Sequence, residues 1–149
     1  MNLVLRPAVV SDTFIIHHLI AELARYEHLL DQVTVTPEML QAALFERHEA
    51  QVILAQIDQA IVGFAVYFYN FSTFEGKKGL YLEDLYVIEA NRKHGIGKAL
   101  FSYLHKLAQD EGCGRMEWSV LDWNTPSLDF YRHQGAQPLH DWTIHRLDL

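Results

Sequence analysis

Apolar positions along this chain switch repeatedly between a spacing of three to four residues and short continuous or alternating runs, the periods of helices and strands. Leu3, Val4 and Leu5 lead up to Arg6-Pro7, which predicts a short first strand ending at the proline. Ser11 or Asp12 can cap a helix carrying Ile16, Leu19, Ile20, Leu23 and Tyr26 on one face. Thr36-Pro37 repeats that start signal, a capping hydroxyl before a first-turn proline, with Met39, Leu40, Ala43 and Leu44 as its apolar stripe. Gln51–Ile57 and Ala60–Tyr69 are rich in β-branched and aromatic residues and are split by Asp58-Gln59, the pattern of an antiparallel hairpin.

A loop over 70–79 leads to a strong strand at Leu80–Ile88, then to the glycine-containing run Arg92-Lys93-His94-Gly95-Ile96-Gly97. A helix follows from about Gly97 to Glu111, with Leu100, Leu104 and Leu107 at helical spacing and Gly112 and Gly114 to stop it. Arg115–Leu121 reads as a strand, Thr125-Pro126 as the start of a short helix ended by Gly135, and Trp142–Leu147 alternates as a last strand. Strand, helix and strand around the glycine run predict a right-handed βαβ unit within an otherwise antiparallel sheet, so the class is α/β. No repeat, low-complexity tract or linker divides the chain, and one domain over 1–149 is expected.

The net charge of −7 argues against a general nucleic-acid binder and suits a small cationic substrate. With Cys113 as the lone cysteine there is no intrachain disulfide and no cysteine-based zinc pattern, and a reducing, cytoplasmic setting is expected. The amino terminus lacks the layout of a signal peptide, and nowhere do eighteen apolar residues run together, so neither secretion nor membrane spanning is expected. The nine histidines show no HExxH or comparable ligand spacing, so no metal is expected.

Two places carry chemistry. Gly95 and Gly97 remove side chains where a backbone must turn tightly and approach a ligand, so that several N–H groups can converge on phosphate oxygens. The following helix adds the positive end of its dipole, and Arg92, Lys93 and Lys98 add charge. The second place is Glu83-Asp84, two carboxylates within an apolar strand, costly there unless paired or functional. Strict alternation would put them on opposite faces and give them different roles.

The pattern R-x-x-G-x-G after L-E-D-L-Y-V-I, together with W-N-x-P-S-x-x-F-Y-x-x-x-G-A from Trp123 to Ala136, resembles the GNAT (GCN5-related) N-acetyltransferases. The resemblance implies their fold, a mostly antiparallel mixed sheet flanked by helices around one central parallel βαβ unit, and acetyl-CoA as co-substrate. It implies that Arg92, Lys93, His94, Gly95, Ile96, Gly97 and Lys98 hold the pyrophosphate. Leu85, Tyr86 and Val87 would form the family's distorted strand segment, pairing with pantetheine and donating to the acetyl carbonyl. Asn124 and Ser127 would contact the cofactor, Tyr131 would protonate the departing thiolate, and Glu83 would bind the amine and relay its proton.

Further segments, E-L-A-R-Y-E at Glu22–Glu27, V-G-F-A-V-Y-F at Val62–Phe68 and V-L-D-W-N at Val120–Asn124, are similar to the spermidine/spermine (diamine) N-acetyltransferases and their thialysine-acetylating relatives. They imply a small cationic amine substrate touched by Tyr26, Glu27, Glu83, Asp84, Glu117, Trp118 and Ser119, and a homodimer. The loop text Phe71-Ser72-Thr73-Phe74 lacks the acidic residue of the polyamine enzymes, which brings thialysine or a short diamine level with polyamines. The alternatives are a non-catalytic acyl-CoA-binding module and an acetyltransferase acting on protein amines.

Overall fold

A five-stranded sheet dominates the computed structural model, which describes residues 2–149. Its strands follow chain order across the sheet: β1 (Leu3–Pro7), β2 (Gln51–Ile57), β3 (Ala60–Ser72), β4 (Lys77–Val87) and β5 (Met116–Glu117). The first three pairings are antiparallel, and β4 pairs with β5 in parallel through Leu80–Met116 and Tyr81–Glu117. The helices are α1 (Thr13–Tyr26), α2 (Pro37–Gln41) running on into a π-helical turn (Ala42–Glu46), α3 (Ile96–Asp110) and α4 (Thr125–His133). The chain forms two compact units, one ending at Trp118 and one comprising Ser119–Leu149.

In the first unit the predicted hairpin forms about Asp58-Gln59, and β3 runs three residues beyond the expected end at Tyr69, to Ser72. One sheet face packs Val52, Leu54, Phe64, Val66 and Tyr86 against Ile16, Leu19 and Leu23 of α1 and Leu40 and Leu44. Thr36 caps α2 as its sequence predicts, its hydroxyl accepting from the Met39 N–H at 3.1 Å. The other face is covered by α3, which buries Ile96, Leu100, Phe101, Leu104 and Ala108.

Several expectations give way. Asp12 does not cap α1 through its side chain. Its carboxylate accepts instead from the Val9 N–H at 2.8 Å and takes both Nη groups of Arg6 at 2.8 and 3.0 Å, an ion pair that holds its carboxyl below the usual range. The strand expected over 115–121 is paired only at Met116–Glu117. In the second unit, Trp142–Leu147 forms no strand, and Trp142, Ile144 and Leu147 are exposed. Alternation marks a capacity to pair, but a strand also needs an edge to pair with, and the ladder includes none of these residues.

The distortion expected at Leu85–Val87 lies earlier. Leu85, Tyr86 and Val87 pair in regular register with Ala65, Phe64 and Gly63, whereas Leu82 pairs with Tyr67 and Asp84 with Val66. Glu83 is the extra residue of a β-bulge. This slip changes the face of everything after it. An unbroken pleat would put Asp84 on the same side as Leu82, but pairing with Val66 turns it to the side that α1 covers.

Candidate active site

The turn expected to cradle an anion begins where β4 ends. Lys93 holds a positive φ of 66°, uncommon for a residue with a side chain, and Gly95 follows at 79°, so the chain doubles back into α3. No side chain caps α3. The first backbone bond of the helix runs from Ala99 N to Gly95 O, so the amides of Ile96, Gly97 and Lys98 have no acceptor among the described residues. By contrast α2 and α4 are capped by Thr36 and Asn124. A Cβ built on Gly95 meets nothing within 4 Å, and one on Gly97 meets only Val87 Cγ2 at 3.9 Å, an ordinary contact. Gly97 therefore costs helix stability, about 1 kcal/mol against alanine, without any packing need inside the chain. Lys93, His94 and Lys98 are exposed around this opening.

Arg92 behaves differently from its basic neighbours. Its Nε donates to the Val87 carbonyl at 2.9 Å, and the guanidinium lies 4.9 Å from the Tyr26 ring centre and 5.3 Å from that of Tyr86. The residue expected on the phosphates is thus tied to the end of β4 and to the last residue of α1.

The bulge gathers carboxylates on that same side. Glu83 is exposed, and Asp84 is partly buried. Burial raises the Asp84 carboxyl to about 7, with further upward pushes from the charges of Glu83 and Glu27. Burial likewise raises Glu27, which directly follows α1. The spacing of the sequence gives Glu83 and Asp84 equal standing, and only the register of β4 against β3 separates the exposed carboxylate from the buried one. Beyond Tyr81 no strand pairs with the outer edge of β4 among the described residues, so Leu85, Tyr86 and Val87 border an unladdered margin.

Glu117 and Trp118 close the first unit. Glu117 pairs with Arg115 at 3.0 Å, and Trp118 meets Phe101 edge-on with ring centres 5.4 Å apart. Ser72, in the loop text that lacks the acidic residue of the polyamine enzymes, is buried, and its hydroxyl accepts from the Glu75 N–H at 3.2 Å in the turn before β4. In the second unit Ser119 is exposed, and Asn124 is 4% exposed with its Oδ1 accepting from the Ser127 N–H at 3.3 Å. Tyr131 is half-buried on α4 and packs edge-on against Phe130 at 5.2 Å. No helix among the described residues is long and apolar enough to cross a membrane.

Residues 16–136 match the acetyltransferase (GNAT) family, and the chain belongs to it. It is an acyltransferase of the N-acetyltransferase type. Among curated relatives, a thialysine N-epsilon-acetyltransferase of Bos taurus is 38% identical over 144 residues, covering 91% of this chain and 84% of that protein. An L-ornithine N5-acetyltransferase of Arabidopsis thaliana is 40% identical over 90 residues, covering 60% of this chain and 40% of its own. The fold matches an integron cassette protein from the mobile metagenome of V. cholerae with a TM-score of 0.84 at 24% identity, covering 99% of this chain and 93% of that one.

Proposed function

We propose that this protein transfers the acetyl group of acetyl-CoA directly to a primary amine of a small cationic substrate, with a thialysine-like amino acid or short diamine as acceptor. The observation that carries the reading is the uncapped start of α3, where three amides converge beside a glycine that nothing in the chain requires. Backbone donors, a helix dipole and exposed lysines at one opening suit a pyrophosphate. The margin of β4 at Leu85–Val87 would take the pantetheine arm and offer an N–H to the acetyl oxygen.

Amide formation requires a neutral amine, a nitrogen placed against the thioester carbon, and a stabilised thiolate. Asp84 is suited to the first requirement. A carboxyl near 7 is half ionised at neutral pH and can take the ammonium proton as the amine approaches, while exposed Glu83 and partly buried Glu27 attract the cation. The amine nitrogen then bonds to the acetyl carbon, the C–S bond breaks, and coenzyme A leaves as a thiolate. The Tyr131 hydroxyl would protonate that thiolate, and the second proton that the nitrogen sheds as the amide forms would return the tyrosinate to tyrosine; the assignment is supported by the match of its motif to the family. The thialysine and ornithine relatives favour amino-acid amines among the candidate acceptors.

The test is a panel of amines, including thialysine, L-ornithine, putrescine and spermine, assayed for coenzyme A release. Turnover with one or more small amines is expected. Coenzyme A binding with no amine acetylated would reject the reading.

A further inference from the structure

Resting on that reading and deepening it, we infer that Arg92 is a positioning residue that couples the coenzyme A loop to the acceptor wall. Its place in the chain and the place of its side chain differ. The backbone of Arg92 stands immediately before Lys93, the strained first residue of the cradle, and its own φ and ψ of −71° and 163° are extended. The side chain turns back from the loop. Nε is fixed on the carbonyl of Val87, the last residue of β4, and the planar group lies near Tyr26 on α1 and Tyr86 on β4.

A guanidinium suits this task better than an ammonium, because it is planar, can stack, and can donate in its plane at the same time. Tyr86 belongs to the buried core and gives the strut a firm backing. Tyr26 is the last residue of α1, next to Glu27, where only a short irregular turn with His28 at a φ of 60° follows. The strut thus joins a loop that binds an anion to a helix end that carries an acceptor carboxylate. Filling the loop with a pyrophosphate restricts the Arg92 backbone, and the stack passes that restriction to Tyr26 and Glu27. Two ligands that each order the same strut help one another to bind.

The experiment uses coenzyme A as probe and needs no acceptor. Calorimetry gives the dissociation constant for each variant, and amide hydrogen exchange is then followed at Ala24–Leu29 with every protein saturated. Wild type is expected to exchange at least about fivefold more slowly there when saturated, the low end of ordinary coupling. Arg92→Gln, equally saturated, should show no slowing. Tyr26→Leu should lose the effect as well, while Tyr26→Phe, which keeps the ring, should retain it. Tyr26→Leu also serves where Arg92→Gln folds poorly.

A saturated Arg92→Gln protein that still protects Ala24–Leu29 would overturn the strut and leave Arg92 as a phosphate ligand. So would a saturated wild type with unchanged exchange. Failure of wild type to bind coenzyme A at all would show in calorimetry first, and would overturn the proposed function together with the coupling.

Discussion

Asp84 on β4 lies close enough to Glu27, at the end of α1, for the charge of one to raise the other's proton affinity. The pairing exists because one extra residue in β4 turns Asp84 toward the α1 side of the sheet. Burial, rather than the neighbouring charges, is the larger cause of its shift.

That shift has a sign. Folded Asp84 keeps its proton up to about pH 7, whereas an unfolded aspartate loses it at about 4. The favourable contribution is therefore complete at low pH and is lost as pH climbs through about 7. Asp84→Asn removes the burial of a charge, so thermal or urea melts should show it gaining about 1–3 kcal/mol on wild type between pH 5 and pH 8. Activity should move oppositely. The variant should lose at least about 100-fold in kcat, and the wild-type rate should rise through an ionisation near 7. An unchanged stability difference across that range would contradict the burial of a charge here.

Gly97 also separates stability from function. Alanine fits its site, since Val87 Cγ2 at 3.9 Å is the only neighbour, and should stabilise α3 by about 0.5–1 kcal/mol. Coenzyme A binding should weaken by an order of magnitude or more as the methyl group enters the approach to the amides, and Gly97→Asp should weaken it further through repulsion. Paired melting and calorimetry check both signs. Gain in stability with unaltered affinity would remove the pyrophosphate from this loop.

Tyr131→Phe keeps the ring packed on Phe130 and removes only the hydroxyl. About a 10- to 10⁴-fold fall in kcat with little change in coenzyme A affinity is expected of a lost general acid. Full turnover in the variant would make Tyr131 a packing residue.

Acceptor preference follows from the turn before β4, where Ser72 is buried in the chain's own hydrogen bonding and Phe74 is fully exposed at the tip. A missing carboxylate contact to a distant ammonium is worth roughly 1–4 kcal/mol in a partly solvated site, one to three orders of magnitude in preference. Parallel assays should give kcat/KM for thialysine or a compact diamine at least equal to that for spermine. A tenfold or greater preference for spermine would place the enzyme with the polyamine acetyltransferases.

What could be read from the sequence was local. Thr36-Pro37 marks its own helix, the β2–β3 hairpin follows from alternation across a short turn, and the glycine turn into α3 is written in consecutive residues. What could not be read depends on partners far along the chain. The bulge at Glu83 exists only in the register of β4 on β3, so alternation alone wrongly assumed an unbroken pleat. The elevated Asp84 carboxyl needs the end of α1 to arrive beside it, and the Arg92–Tyr26 stack needs the same encounter. The failed strand at Trp142–Leu147 is the converse case, a local pattern with no ladder partner.

Because of the slip at Glu83, β4 behaves like a text with a shifted reading frame. Leu80 and Leu82 are read on the α3 side, and Asp84 and Tyr86 after the slip are read on the α1 side. Spelling and length are then under unequal constraint. A substitution at Glu83 changes one exposed group and leaves the frame alone, and deleting Glu83 removes only the bulge, because Asp84 would then follow Leu82 and still pair with Val66. Losing one residue beyond the bulge, such as Leu85, would instead exchange the sides of all that follow, and Tyr86 would leave the core that backs Arg92.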